Sequence, residues 1–63
     1  MTIVKVTYMT PNGREKSIDF TSNHFTFPLS MLSNYDLIVV VMDKFKECFK
    51  SECEIIAVEI IAR

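Results

Sequence analysis

The sequence contains little of what enzymes use for chemistry or for holding a cofactor. Its 63 residues include one glycine, Gly13, one histidine, His24, and no tryptophan. Phosphate-cradling loops need several glycines, and acid–base or nucleophilic catalysis needs a positioned constellation of side chains that the spacing does not supply. We therefore expect no catalytic residues, no cofactor and no enzymatic activity.

Cysteine is also scarce, and the two cysteines do not suit a disulfide framework or a metal site. Cys48 and Cys53 together with His24 offer fewer than the four ligands that structural zinc requires. The chain starts with a strand pattern rather than a secretory signal pattern. We therefore expect a cytoplasmic protein with reduced thiols, Cys48 being packed as a small hydrophobic side chain, and no metal.

Neither charge nor long apolar runs point to a nucleic acid or a membrane. Seven basic and eight acidic residues give a net charge of −1, so no basic field attracts polyanions. No apolar run reaches the ~18 residues of a membrane span. A nucleic-acid-binding regulator remains an alternative, and it would depend on a basic stripe formed by Lys5, Lys44, Lys46 and Lys50.

The clearest local signal is the turn Thr10-Pro11-Asn12-Gly13 between two strand-like runs. A two-residue loop would place apolar residues opposite polar ones on a single face, whereas a three-residue loop, residues 11–13, sets Val4 opposite Phe20. We therefore predict strands at residues 2–10 and 14–21. Their core face carries Val4, Val6, Tyr8, Ile18 and Phe20.

A helix is predicted over residues 34–50, after a connection that includes a short edge strand at residues 25–27. Ser33 is a suitable N-cap, and Asp36 stands in capping-box position. The β-branched run 37–42 leaves a buried strand as the alternative for that segment. If the helix forms, Val39 and Val40 lie on its outer side and are candidate contact residues.

The last strand, residues 54–62, is apolar on both faces, although a strand with one face in water should alternate. Regular alternation places Ile56, Val58 and Ile60 on the face covered by the helix. It leaves Ile55, Ala57 and Ile61 uncovered, and Ile3 and Met9 extend that surface if the last strand lies beside the first.

These elements predict a single α+β domain, residues 1–63, built as hairpin, helix and strand (ββαβ). The helix packs on one face of a three-stranded, mostly antiparallel sheet, and we prefer the strand order 2-1-3. In that order the apolar last strand has one unpaired edge, which favours pairing with a partner. The predicted partner-binding residues are Ile3, Met9, Val39, Val40, Ile55, Ala57 and Ile61.

The segment Val4-Lys5-Val6-Thr7-Tyr8-Met9, opening a chain with this element order, resembles the N-terminus of the Dmd antitoxins of T-even phages. The resemblance covers six residues and the order of the elements. It implies a phage-encoded, cytoplasmic inhibitor or antitoxin that blocks a host toxin or defence enzyme by direct contact. The alternative interpretation of the apolar last strand is that the chain is a homodimeric structural or accessory protein.

Overall fold

The computed structural model describes residues 1–49 and 52–63, and it confirms the predicted α+β fold. A helix, α1, packs on a three-stranded sheet with strand order β2-β1-β3, in which β1 is antiparallel to both neighbours. The elements in chain order are β1 (Ile3–Met9), β2 (Glu15–Thr21), two 3-10 turns (Ser22–His24 and Leu29–Met31), α1 (Asn34–Phe49) and β3 (Glu54–Ala62).

The hairpin has the predicted register and the predicted three-residue loop. Val4 lies opposite Phe20, and Lys5 lies opposite Asp19. The Gly13 amide donates to the Thr10 carbonyl at 2.9 Å, and Gly13 has a φ of +80°. A type I turn followed by a left-handed residue gives the strands the twist that a short hairpin needs, and glycine adopts that conformation without a steric penalty.

Residues 37–42 are helical, which settles the alternative between helix and strand for this run. The Ser33 hydroxyl accepts a hydrogen bond from the Asp36 amide at 3.2 Å, as expected of an N-cap. The helix buries a stripe of residues four apart, namely Leu37, Val41 and Phe45. The predicted helix end at residue 50 lies outside the described residues.

The core lies between the helix and the covered face of β1 and β2. Tyr8 packs its ring against the helix, with ring centroids 5.1 Å from Phe45 and 5.3 Å from Phe49. Leu29, in the second 3-10 turn, is fully buried, so the connection between β2 and α1 is part of the core. The buried apolar residues are Val4, Val6, Tyr8, Phe20, Leu29, Leu37, Val41 and Phe45.

The predicted edge strand at residues 25–27 is wrong, because a 3-10 turn follows β2 directly. The Thr21 amide donates to Nδ1 of His24 at 3.1 Å, and the Asn23 amide donates to the Thr21 hydroxyl at 3.4 Å. This capping box turns the chain out of the sheet. Pro28 then lacks the amide that a continued ladder would need.

Both cysteines are free thiols, but Cys48 does not lie in the predicted environment. Cys48 is exposed, so the prediction that it packs as a small hydrophobic side chain is wrong. Cys53 instead packs in part against the core. The buried stripe of α1 continues from Phe45 to the partly buried Phe49, and Cys48 lies beside that stripe rather than within it.

Candidate interaction surface on the last strand

A bulge in β3 changes which isoleucines face the core. Thr7 lies opposite Ala57, whereas its neighbour Tyr8 lies opposite Ile55, and the residue between them, Ile56, has no partner on β1. A bulge of this kind places two residues of one strand against one of the other and breaks the alternation of faces. On the two sides of the bulge, the positions of β3 that face the core are therefore offset by one residue.

The expected placement of Ile55 and Ile56 is corrected by this bulge. Ile55 was expected on the uncovered face, but it lies opposite the buried Tyr8 and packs against the core. Ile56 was expected on the covered face, but its side chain is 48% exposed. Ile55 is thus a core-packing residue, and Ile56 takes its place at the surface.

A second bulge lies at the other end of the same strand. Val4 pairs with Ile60 and Ile3 pairs with Ala62, so Ile61 is the extra residue. Its side chain is 51% exposed, in agreement with its predicted place on the uncovered side. Ile56 and Ile61 are five positions apart, which corresponds to roughly 16 Å along the strand.

The uncovered face of the sheet carries apolar residues between charged ones, and Met9 itself lies opposite Glu15 on β2 and Glu54 on β3. Met9 lies near the Ile56 end and Ile3 near the Ile61 end, and both are half-buried, while Ala57 is exposed. We call this set, Ile3, Met9, Ile56, Ala57 and Ile61, the open-face surface. Lys5 lies between its two ends, with Asp19 opposite it on β2 and Glu59 opposite it on β3.

The outer edge of β3 is not paired with any strand in the described part of the chain. Within residues 1–49 and 52–63, the only strand that pairs with β3 is β1, and β3 is the last strand of the sheet. An edge strand presents a row of backbone donors and acceptors to which another strand can add. The open-face surface therefore borders a free sheet edge nine residues long.

The two candidate residues of α1 lie in different environments. Val39 is on the outer side of the helix as predicted, with 37% of its surface exposed. Val40 was expected on the outer side as well, but it packs in part against the core because the connection from β2 covers it. Val40 also lines a cleft between that connection and the helix.

This cleft, which we call the aromatic–acidic cleft, could not be identified from the sequence. It has a volume of about 290 Å³, and its walls are residues 24–27 on one side and Val40, Asp43, Lys44 and Glu47 on the other. Its aromatic wall comes from the Phe-Thr-Phe segment, residues 25–27, for which the sequence predicted an edge strand. Only Phe25 packs against the core, whereas Phe27 is 41% exposed.

Among the described residues, no group of three or more histidine, cysteine, aspartate or glutamate side chains is arranged to hold a metal ion. Within the same ranges, no helix combines the length and the apolar character needed to cross a membrane. Every buried side-chain nitrogen or oxygen atom in the described part of the chain has a hydrogen-bond partner.

Comparisons with protein-family models, with curated proteins and with solved structures found no match for this chain.

Proposed function

We propose that the protein is a binding module that acts by occupying another protein, and that the contact is made through β3. The observation that carries this proposal is the pair of bulges, which leaves Ile56 and Ile61 half exposed on a strand whose outer edge is unpaired. Exposed apolar side chains beside a free edge suit β-strand addition, in which the backbone supplies affinity and the side chains supply specificity.

The two isoleucines are the expected anchors of this contact. Fully burying an isoleucine side chain contributes about 1.5–3 kcal/mol, so covering the exposed half of each contributes about 1 kcal/mol. Ile3 and Met9 add apolar surface at the two ends, and Ala57 leaves room for a partner to approach closely. The partner's strand would meet Glu59 between the anchors, which favours a basic or neutral residue at that point.

A partner of different sequence fits this edge better than a second copy of the chain does. Two copies could pair through their β3 edges in antiparallel fashion with Val58 of one copy opposite Ile60 of the other. In this register, core-facing residues lie opposite core-facing residues along residues 56–62. The same register sets Glu59 opposite Glu59 at the two-fold axis. Like charges directly opposite each other are destabilising. Homodimerisation is the second candidate function.

The kind of partner is suggested by the resemblance to the Dmd antitoxins. On that basis the protein is a phage-type inhibitor or antitoxin that blocks a host toxin or defence enzyme in the cytoplasm by direct contact. Nucleic-acid binding is less well supported, because Lys5 lies between two acidic neighbours and Lys44 lies in a cleft with Asp43 and Glu47. A continuous basic stripe is what such binding requires.

The experiment that tests this proposal is affinity capture from host lysate with the wild-type chain and two variants. The double variant Ile56→Thr/Ile61→Thr removes both anchors, and Met31→Thr is the control, since Met31 is an exposed apolar residue off the sheet. We expect wild type and Met31→Thr to capture the same protein and the double variant to lose it. Equal capture by all three would overturn the proposal.

A further inference from the structure

We propose that the aromatic–acidic cleft binds an organic cation, namely the guanidinium or ammonium group of an arginine or lysine side chain presented by the protein partner. This inference deepens the proposed function and rests on it for the identity of the partner as a protein. The cleft is formed by α1 and the connection from β2 and does not include β3. It can therefore be tested separately from the strand contact.

One wall of the cleft is aromatic and partly open to solvent. The ring centroids of Phe25 and Phe27 are 5.6 Å apart, with the ring planes inclined at 49°. Phe25 is held by its packing against the core, whereas Phe27 exposes 41% of its surface. The face of an aromatic ring attracts a cation placed within about 6 Å of the ring centroid. A free ring beside a fixed one is therefore a suitable surface for a flat guanidinium.

The chain already places one cation against this wall. The Lys44 ammonium nitrogen lies 5.9 Å from the centroid of the Phe25 ring. Lys44 is attached to the opposite wall, so its side chain crosses the cleft to reach the ring. The geometry shows that the space above Phe25 accommodates an ammonium group. Lys44 is thus an internal stand-in for the cation that a partner would bring.

The second wall supplies the opposite charge. Asp43 and Glu47 are four positions apart on α1, which places them one above the other on the same side of the helix. With Lys44, the ionised side chains of the cleft sum to −1. The His24 ring is engaged by the turn, since the Thr21 amide donates to its Nδ1 at 3.1 Å. An incoming cation would meet two carboxylates and an exposed ring.

An anion is the less suitable ligand for this cleft. It would have Lys44 as its only charged attraction and both carboxylates as repulsion. A neutral apolar ligand would cover Phe27 and Val40 but would remove water from Asp43 and Glu47 without replacing the lost hydrogen bonds. A guanidinium satisfies the carboxylates and the ring together, since it is planar and donates from its edge.

The test is a titration of the ¹⁵N-labelled full-length chain with N-acetyl-arginine methylamide, followed by amide chemical shifts. The matched control is N-acetyl-citrulline methylamide, which has the same shape without the charge. We expect arginine to shift residues 24–27 and 40–47 in a saturable manner and citrulline to leave them unchanged. N-acetyl-glutamate methylamide is the anionic control, and it should cause no saturable change in the amide chemical shifts.

Variants of exposed residues separate the parts of the cleft. Glu47→Gln and Phe27→Leu should each weaken arginine binding about threefold, in line with the strength of exposed ion pairs and cation–π contacts. Lys44→Met removes the internal cation and should strengthen binding about threefold. Circular dichroism of each variant shows whether α1 is retained.

The proposal is overturned if arginine causes no saturable shifts, if citrulline shifts the same residues equally, or if glutamate binds better than arginine. Weaker arginine binding by Lys44→Met would also overturn the stand-in role of Lys44. A failure of this titration leaves the capture experiment on β3 unaffected. Conversely, unchanged capture by the Ile56→Thr/Ile61→Thr variant would overturn the strand contact but not the cation site.

Discussion

Tyr8 lies opposite Ile55 across the β1–β3 ladder, and this pairing joins the last strand to the aromatic core. The next pair along β1 is offset by one residue on β3, which leaves Ile56 unpaired and 48% exposed. One bulge thus assigns opposite roles to two adjacent isoleucines. Ile55 stabilises the fold, and Ile56 is available for contact.

The first prediction concerns the stability of these two positions. Ile55→Thr should lower the free energy of unfolding by about 2 kcal/mol, because it replaces an ethyl group by a hydroxyl on the core side. Ile56→Thr should change it by less than about 0.5 kcal/mol, since threonine is also β-branched and the site is half in water. Urea unfolding of the two variants measures both values, and equal losses would contradict the bulge.

The hairpin turn gives a second prediction. Gly13→Ala should destabilise the protein by about 1 kcal/mol through the left-handed backbone alone, because a Cβ at this position meets no atom within 4 Å. Gly13→Asn should cost less, since asparagine tolerates that conformation. Thermal unfolding of both variants checks the order, and the turn geometry is contradicted if the alanine variant is the more stable one.

Arg63 provides a third prediction, because it ties the end of β3 to the start of the helix. Its guanidinium donates to the Asn34 side chain at 2.6 Å and to the Leu32 carbonyl, and its own carbonyl accepts from the Thr2 hydroxyl at 3.1 Å. Arg63→Met should cost about 1 kcal/mol or less, as expected of exposed contacts. It should also speed amide exchange at the end of β3.

Arg63→Lys is the control for this prediction, because it keeps the charge but loses the planar fork that reaches two acceptors. We expect exchange at residues 60–62 to rise in both variants, and more in the methionine variant. Unchanged exchange in Arg63→Met would show that these hydrogen bonds do not hold the strand end.

The fourth prediction concerns self-association through β3. Because pairing of two copies sets Glu59 opposite Glu59, Glu59→Gln should increase the dimer fraction at a given protein concentration. Glu15→Gln is the matched control, since it makes the same change of charge on β2, at the other edge of the sheet. Sedimentation equilibrium of the three proteins measures the effect. A wild-type chain that is already fully dimeric would contradict the argument for a partner of different sequence.

The sequence was sufficient to predict the parts of the fold that depend on local chemistry. The register of the hairpin was predicted by matching apolar residues with apolar residues across a loop in which Gly13 adopts a left-handed conformation. The start of the helix was predicted from Ser33 as its N-cap. The bulges could not be predicted, because residues 55–58 and 60–62 are all apolar and give no alternation that a one-residue step would interrupt.

The aromatic–acidic cleft could not be predicted from the sequence either, because it depends on which side of α1 is covered by the connection between β2 and α1. Helical spacing places Val40, Asp43 and Glu47 on one side of the helix, and these three residues line the cleft. What spacing could not show is that residues 24–27 fold back over this side. The burial of Leu29, which no periodic pattern marks, holds the connection there.

The central claim is that a partner strand adds to the free edge of β3 between Ile56 and Ile61. Amide hydrogen exchange of the chain alone and in complex with its captured partner tests this most directly. In the complex we expect slower exchange at the β3 amides that face the outer edge and no change at the edge of β2. Protection confined to β2 or to the outer side of α1, with β3 unchanged, would contradict it.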